Sequence, residues 1–143
     1  MQSGNKVRKA DLDQSARALL DFLERNQKEP IFEYRLGHAY PKNSCESVSL
    51  ILTYLLEEKY KLDNVTIIKG TREDVYEHHY WVMVCDLIYD LTVHQFPGQS
   101  PIIGASTHTP FLDEFPDREI ETGRDFVDRA GVIAAYRKGI IQF

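Results

Sequence analysis

Val48, Ile51, Leu52, Leu55 and Leu56 recur at the i, i+3, i+4, i+7 and i+8 positions of one helical face. A face that apolar must be covered, so the rest of the chain has to supply a layer against it. Pro41 and the Asn43-Ser44 pair mark where a loop ends and this helix begins, which puts Cys45 at the loop-to-helix junction. At such a position a thiol faces free backbone N–H groups and the positive end of the helix macrodipole, and both favour the thiolate. Cys45 is therefore read as a nucleophile; the competing reading is a small buried residue of the helix's apolar face.

A sulfur nucleophile needs a base that takes its proton and later delivers one to a leaving group, and an imidazole suits that task. Of the five histidines, His79 opens the run Tyr80-Trp81-Val82-Met83-Val84-Cys85, whose aromatic and branched residues read as a strand. Leu87-Ile88-Tyr89-Asp90-Leu91-Thr92 reads as its antiparallel partner across a tight turn at Asp86. Asp90 lies 11 residues beyond His79, so a short hairpin brings its carboxylate beside the imidazole, where it would fix the tautomer and stabilise the imidazolium. Strand alternation puts His78 and His79 on opposite faces, so only one can meet the cysteine helix, and the Trp81 register favours His79.

These pieces, Cys45 at a helix start, His79-Tyr80-Trp81-Val82 and Asp90-Leu91-Thr92, resemble the transglutaminase-like branch of the papain-like cysteine enzymes, whose pattern is a helix-borne Cys, a strand reading H-x-W-V and a strand reading D-x-T. The 34 residues between Cys45 and His79 are similar to the spacing in compact members. The resemblance covers roughly residues 35 to 96 and implies a papain-like or transglutaminase-like core with a Cys45-His79-Asp90 triad that forms a thioester. It leaves the acyl acceptor open. The implied activity is a thiol hydrolase, a cysteine peptidase or amidase; the alternatives are a glutamine deamidase or transglutaminase-type effector or toxin acting on a protein, and a catalytically silent binding or immunity module. Asn43-Ser44-Cys45-Glu46-Ser47 departs from the family in lacking a tryptophan or glycine beside the nucleophile, and Ala39 stands where papain-type enzymes carry glutamine. Glu46 is accordingly expected to face away from the thiol. An oxyanion donor would come from the Cys45 backbone N–H plus a side chain, with Tyr40, Asn43 and His38 as candidates and Trp81 as a substrate-binding residue.

At 143 residues and 43% apolar content, the chain is expected to form one domain over residues 1–143 with a real core. A formal charge of −5 without a basic stripe disfavours nucleic acid and anionic membranes as partners, and a protein or peptide substrate is expected instead. No apolar run approaches the roughly 20 residues that span a bilayer, and the charged start lacks a signal-peptide h-region. The expected location is the cytoplasm, or outside it by a signal-peptide-independent route for an effector. Two cysteines exclude a disulfide framework, and Cys85 reads as a buried strand thiol, with a Cys45–Cys85 bridge the minor alternative. His38, His78, His79, His94, Cys45 and Cys85 lack C-x-x-C or H-E-x-x-H spacing, so neither metal nor cofactor is expected.

Elsewhere, Asp11 to about Asn26 reads as a first helix on its leucine spacing, and Gln27 to Ser44 as a long loop walling the cleft. Asn64 to Gly70 reads as a strand before the His79 hairpin, giving a three-stranded antiparallel sheet. Ile102-Ile103-Gly104 is a candidate short strand, Thr107 to Glu119 reads as irregular, His94 as a surface residue at the cleft rim, and Arg124 to Lys138 as a terminal helix. The fold class is α+β, with helices packed on one face of an antiparallel sheet.

Overall fold

In the computed structural model, which describes residues 7–26, 40–41 and 44–143, the helix that opens at Cys45 is buried on every side. It spans Cys45–Tyr60 (α2), and all of Ser47 to Leu56 is buried. The sequence periodicity marks one apolar face; Leu50, Thr53 and Tyr54 fall off that face and are buried too, because α2 is wrapped by other elements rather than laid on a surface. Those elements are α1 (Lys9–Arg25), α3 (Arg129–Arg137) and the strands β1 (Val65–Arg72) and β2 (Glu77–Val84). Leu12, Ala16, Leu19, Phe22 and Leu23 of α1 close one side. Truncating a leucine of α2 would cost roughly 2–5 kcal/mol, since no solvent can fill the space.

β1 and β2 pair along their whole length, from Val65 with Val84 to Arg72 with Glu77. With β3 (Leu87–Asp90), β4 (Ile102–Ala105) and β5 (Asp117–Glu121) they form a five-stranded antiparallel sheet in the order β4-β3-β2-β1-β5. Period-two alternation sends Val65, Ile67, Val82, Val84 and Tyr89 to the helices. Ile68, Trp81, Met83 and Ile88 point to the opposite face, where Phe96, Phe111, Leu112 and Phe115 from the segments after β3 and β4 cover them. Helices thus pack one face and an aromatic cluster packs the other.

The structure differs from the sequence reading in the sheet, in the last helix and at Cys85. The sheet has five strands rather than three: β4 matches the short strand read at Ile102, but β5 lies in a stretch read as irregular. Its side chains are exposed except for Glu121, so no alternation marks it; it exists because β1 offers an unpaired edge to Asp117–Glu121. The last helix starts at Arg129 rather than Arg124, because the Asp128 carboxylate accepts the Gly131 N–H at 3.1 Å and caps it there. Cys85 is an exposed free thiol rather than a buried strand residue. Val84 pairs directly with Leu87, so Cys85 and Asp86 form the whole two-residue turn, with Cys85 at φ 55°.

Gly70, paired with His79, is fixed by packing. A Cβ there would stand 2.7 Å from Trp81 Cη2 and 2.9 Å from Phe115 Cβ, closer than any side chain allows. Gly70→Ala should therefore lower unfolding free energy by roughly 1–3 kcal/mol, the usual cost of overpacking, and shift the Trp81 fluorescence. A denaturation midpoint and emission spectrum unchanged from wild type would contradict this packing.

Candidate active site

β2 and β3 stop pairing after Val82 and Tyr89, so His79 and Asp90 lie beyond the last rung of that ladder. What joins them is a side-chain hydrogen bond: His79 Nε2–H donates to Asp90 Oδ2 at 2.6 Å. His79 is 0% and Asp90 1% exposed, so the pair acts through a medium of low dielectric, where such a bond is strong and a lone charge costly. The other Asp90 oxygen is also taken, accepting the Thr92 N–H at 3.1 Å and facing its hydroxyl at 3.4 Å. The D-x-T order thus has a local physical meaning, since a threonine two residues on returns to the carboxylate in an Asx-type turn and fixes its orientation. The rings of Phe96, Phe115 and Trp81 lie 5.3, 5.9 and 5.9 Å from the imidazole and exclude water from it.

Burial by itself would push His79 down. The Asp90 carboxylate and its hydrogen bond, followed by a hydrogen bond to Cys45 and the charge of Cys45, override burial and push the imidazole up to about 10. His79 is thus an imidazolium at neutral pH. Its Nδ1 is buried and makes no hydrogen bond of full geometry, so the Cys45 contact is a loose one, as is common before a substrate tightens a site. Cys45 itself is a free, half-buried thiol at the first position of α2. Its N-cap residue Ser44 turns its hydroxyl back to the Pro41 carbonyl at 2.9 Å instead of capping the helix, which leaves the first-turn N–H groups without a side-chain cap.

The structure brings Cys45, His79 and Asp90 together and disperses the other residues singled out in the sequence. Tyr40 commits its hydroxyl to the Leu91 carbonyl at 2.6 Å and is 4% exposed, so it ties the loop before the nucleophile to the Asp90 strand and is no free donor. Trp81 is 0% exposed in the aromatic cluster, because alternation puts it on the sheet face away from α2; it is a core residue rather than a substrate-binding one. Its Nε1 and the Nε2 of His108, whose ring lies 5.8 Å away, are both buried and have no hydrogen-bond partner among the described residues. Asn43 and His38 lie outside the described residues. Glu46 is half-buried, and burial first, then Glu121, raise its carboxyl while Lys69 opposes them. His94 is half-buried against the edge of Tyr40, with burial lowering its imidazole, rather than a surface residue. His78 meets Thr71 Oγ1 at 2.8 Å and takes no part.

Tyr80 was not singled out in the sequence as a candidate site residue. It follows His79 directly, so alternation turns it to the α2 side, where it packs against the helical core. Burial first, then the charges of Glu46, Glu121, Cys45 and Glu119, push its phenol up to about 12. Among the described residues no group of three His, Cys, Asp or Glu side chains is arranged to hold a metal ion, and no helix is long and apolar enough to cross a membrane. No protein-family model, curated protein or solved structure matches this chain.

Because the folded value for His79 stands above its unfolded value of 6.5, the stability it contributes is complete below about pH 6.5 and is lost as pH climbs toward 10. The urea midpoint should fall across that window, and fall less in Asp90→Asn, whose amide cannot hold the imidazolium. Equal slopes in the two proteins would contradict the coupling.

Proposed function

We propose that the protein is a thiol hydrolase that cleaves an amide through a thioester on Cys45. The observation that carries the reading is the buried His79–Asp90 hydrogen bond, which leaves the second imidazole nitrogen for Cys45. In this mechanism the Cys45 sulfur adds to the amide carbon while His79 gives its proton to the leaving nitrogen. Neutral His79 then takes a proton from water, the resulting hydroxide adds to the thioester carbon, and collapse breaks the C–S bond, releasing the acid with the Cys45 thiolate and the His79 imidazolium restored. Asp90 only orients His79 and stabilises its charged form. The order of a helix-borne cysteine, a histidine strand and an aspartate strand also supports the finer reading of the α+β fold as a papain-like or transglutaminase-like core.

The test is incubation of the protein with a peptide library and mass spectrometry of the products. New termini in the presence of wild type, absent with Cys45→Ala and reduced roughly a hundredfold or more with Asp90→Asn, are expected. Conversion of side-chain amides to acids without new termini would move the reaction to glutamine deamidation. A product pattern identical for wild type and Cys45→Ala would defeat the proposal.

A further inference from the structure

A tetrahedral intermediate on Cys45 needs hydrogen-bond donors for its oxyanion, and the described residues leave few. Tyr40 is engaged by Leu91, and Trp81 is sealed on the far face of the sheet. The helix start supplies uncapped N–H groups, of which that of Cys45 moves with the nucleophile. On the helix face of β2, directly after His79, stands Tyr80. It is half-buried, and its hydroxyl makes no hydrogen bond within the described residues. Its cross-strand neighbour is Lys69, so no partner acceptor lies opposite it in the register. Tyr80 leaves β2 on the helix side, and α2, which opens at Cys45, packs on that strand. Cys45 hydrogen-bonds to His79, the residue directly before Tyr80, so the start of α2 lies at this end of β2 with the phenol on its side of the sheet.

From this placement we infer that Tyr80 is a catalytic residue of the proposed reaction, its O–H donating, beside the Cys45 backbone N–H, to the carbonyl oxygen of the substrate as that oxygen becomes an oxyanion. The phenol keeps its proton at neutral pH, since burial first, and then the charges of Glu46 and Glu121, oppose its ionisation. It thus donates without being consumed. The inference rests on the thiol-hydrolase reading and deepens it.

Two reagents separate the roles. Iodoacetamide alkylates Cys45 by displacement of iodide at an sp³ carbon and forms no oxyanion. 4-Nitrophenyl acetate acylates it by addition: the sulfur bonds to the carbonyl carbon, the π electrons move to oxygen, and collapse expels 4-nitrophenolate to leave S-acetyl-Cys45, the thiol proton passing through His79 to buffer. Tyr80→Phe, followed by intact mass and nitrophenolate release, should be acetylated at Cys45 roughly a hundredfold more slowly than wild type, the usual loss for one oxyanion donor. Its alkylation rate at Cys45 and its thermal midpoint should stay close to wild type. Acetylation at the wild-type rate would overturn the inference, and so would a parallel loss in both reactions, which would mark Tyr80 as structural. A wild-type protein that neither reagent modifies at Cys45 would overturn the hydrolase reading itself and the inference with it.

Discussion

The hydrogen bond between His79 and Asp90 is the interaction on which the site depends, because it is made where the ladder between β2 and β3 has ended. Backbone pairing ties His79 to Gly70 and Asp90 to Ile102, but beyond Val82 and Tyr89 it no longer ties β2 to β3, so a 2.6 Å side-chain contact joins them instead. Both groups are fully buried, so each would be expensive alone. Removing one partner of such a pair typically costs about 3–5 kcal/mol. The same bond that joins the strand ends also orients the imidazole and leaves its other nitrogen for Cys45.

Packing supplies the second constraint. α2 is buried from Ser47 to Leu56 by α1, α3 and the sheet, which fixes the position of its first residue without any contribution from the thiol. Tyr40 adds a tie from the chain before α2 to the Leu91 carbonyl, next to Asp90, so the segment carrying the nucleophile and the strand carrying the carboxylate are joined directly. On the other face Phe96, Phe115 and Trp81 surround His79 and keep water from it. The arrangement of Cys45, His79 and Asp90 is a by-product of two cores meeting at one strand end.

How much of this was legible follows from the physics of each element. The Cys45 helix and the strands carrying His79 and Asp90 were readable because their residues carry strong periodic or aromatic signals. β5 was not, since Asp117-Arg118-Glu119-Ile120-Glu121 has no buried face of its own and is a strand only by pairing with β1. Cys85 was misplaced because a turn one residue too short in the sequence reading leaves it in the strand, whereas the Val84–Leu87 pair needs two residues outside it. Trp81, read as a substrate-binding residue, is a core residue for another reason: alternation along β2 is certain, but which face meets α2 is decided by tertiary packing. Tyr40 gave no signal of its Leu91 bond, which spans 51 residues of sequence.

The central claim is that Cys45 is activated by its surroundings, and the two free thiols allow it to be tested inside one molecule. Cys85 is exposed on a turn, whereas Cys45 is half-buried. Site-resolved alkylation with limiting iodoacetamide at neutral pH, followed by peptide mass spectrometry, compares them directly. Activation predicts that Cys45 reacts first, and that His79→Ala reverses the order. Faster labelling of Cys85 in the wild-type protein, as accessibility alone would dictate, would contradict it.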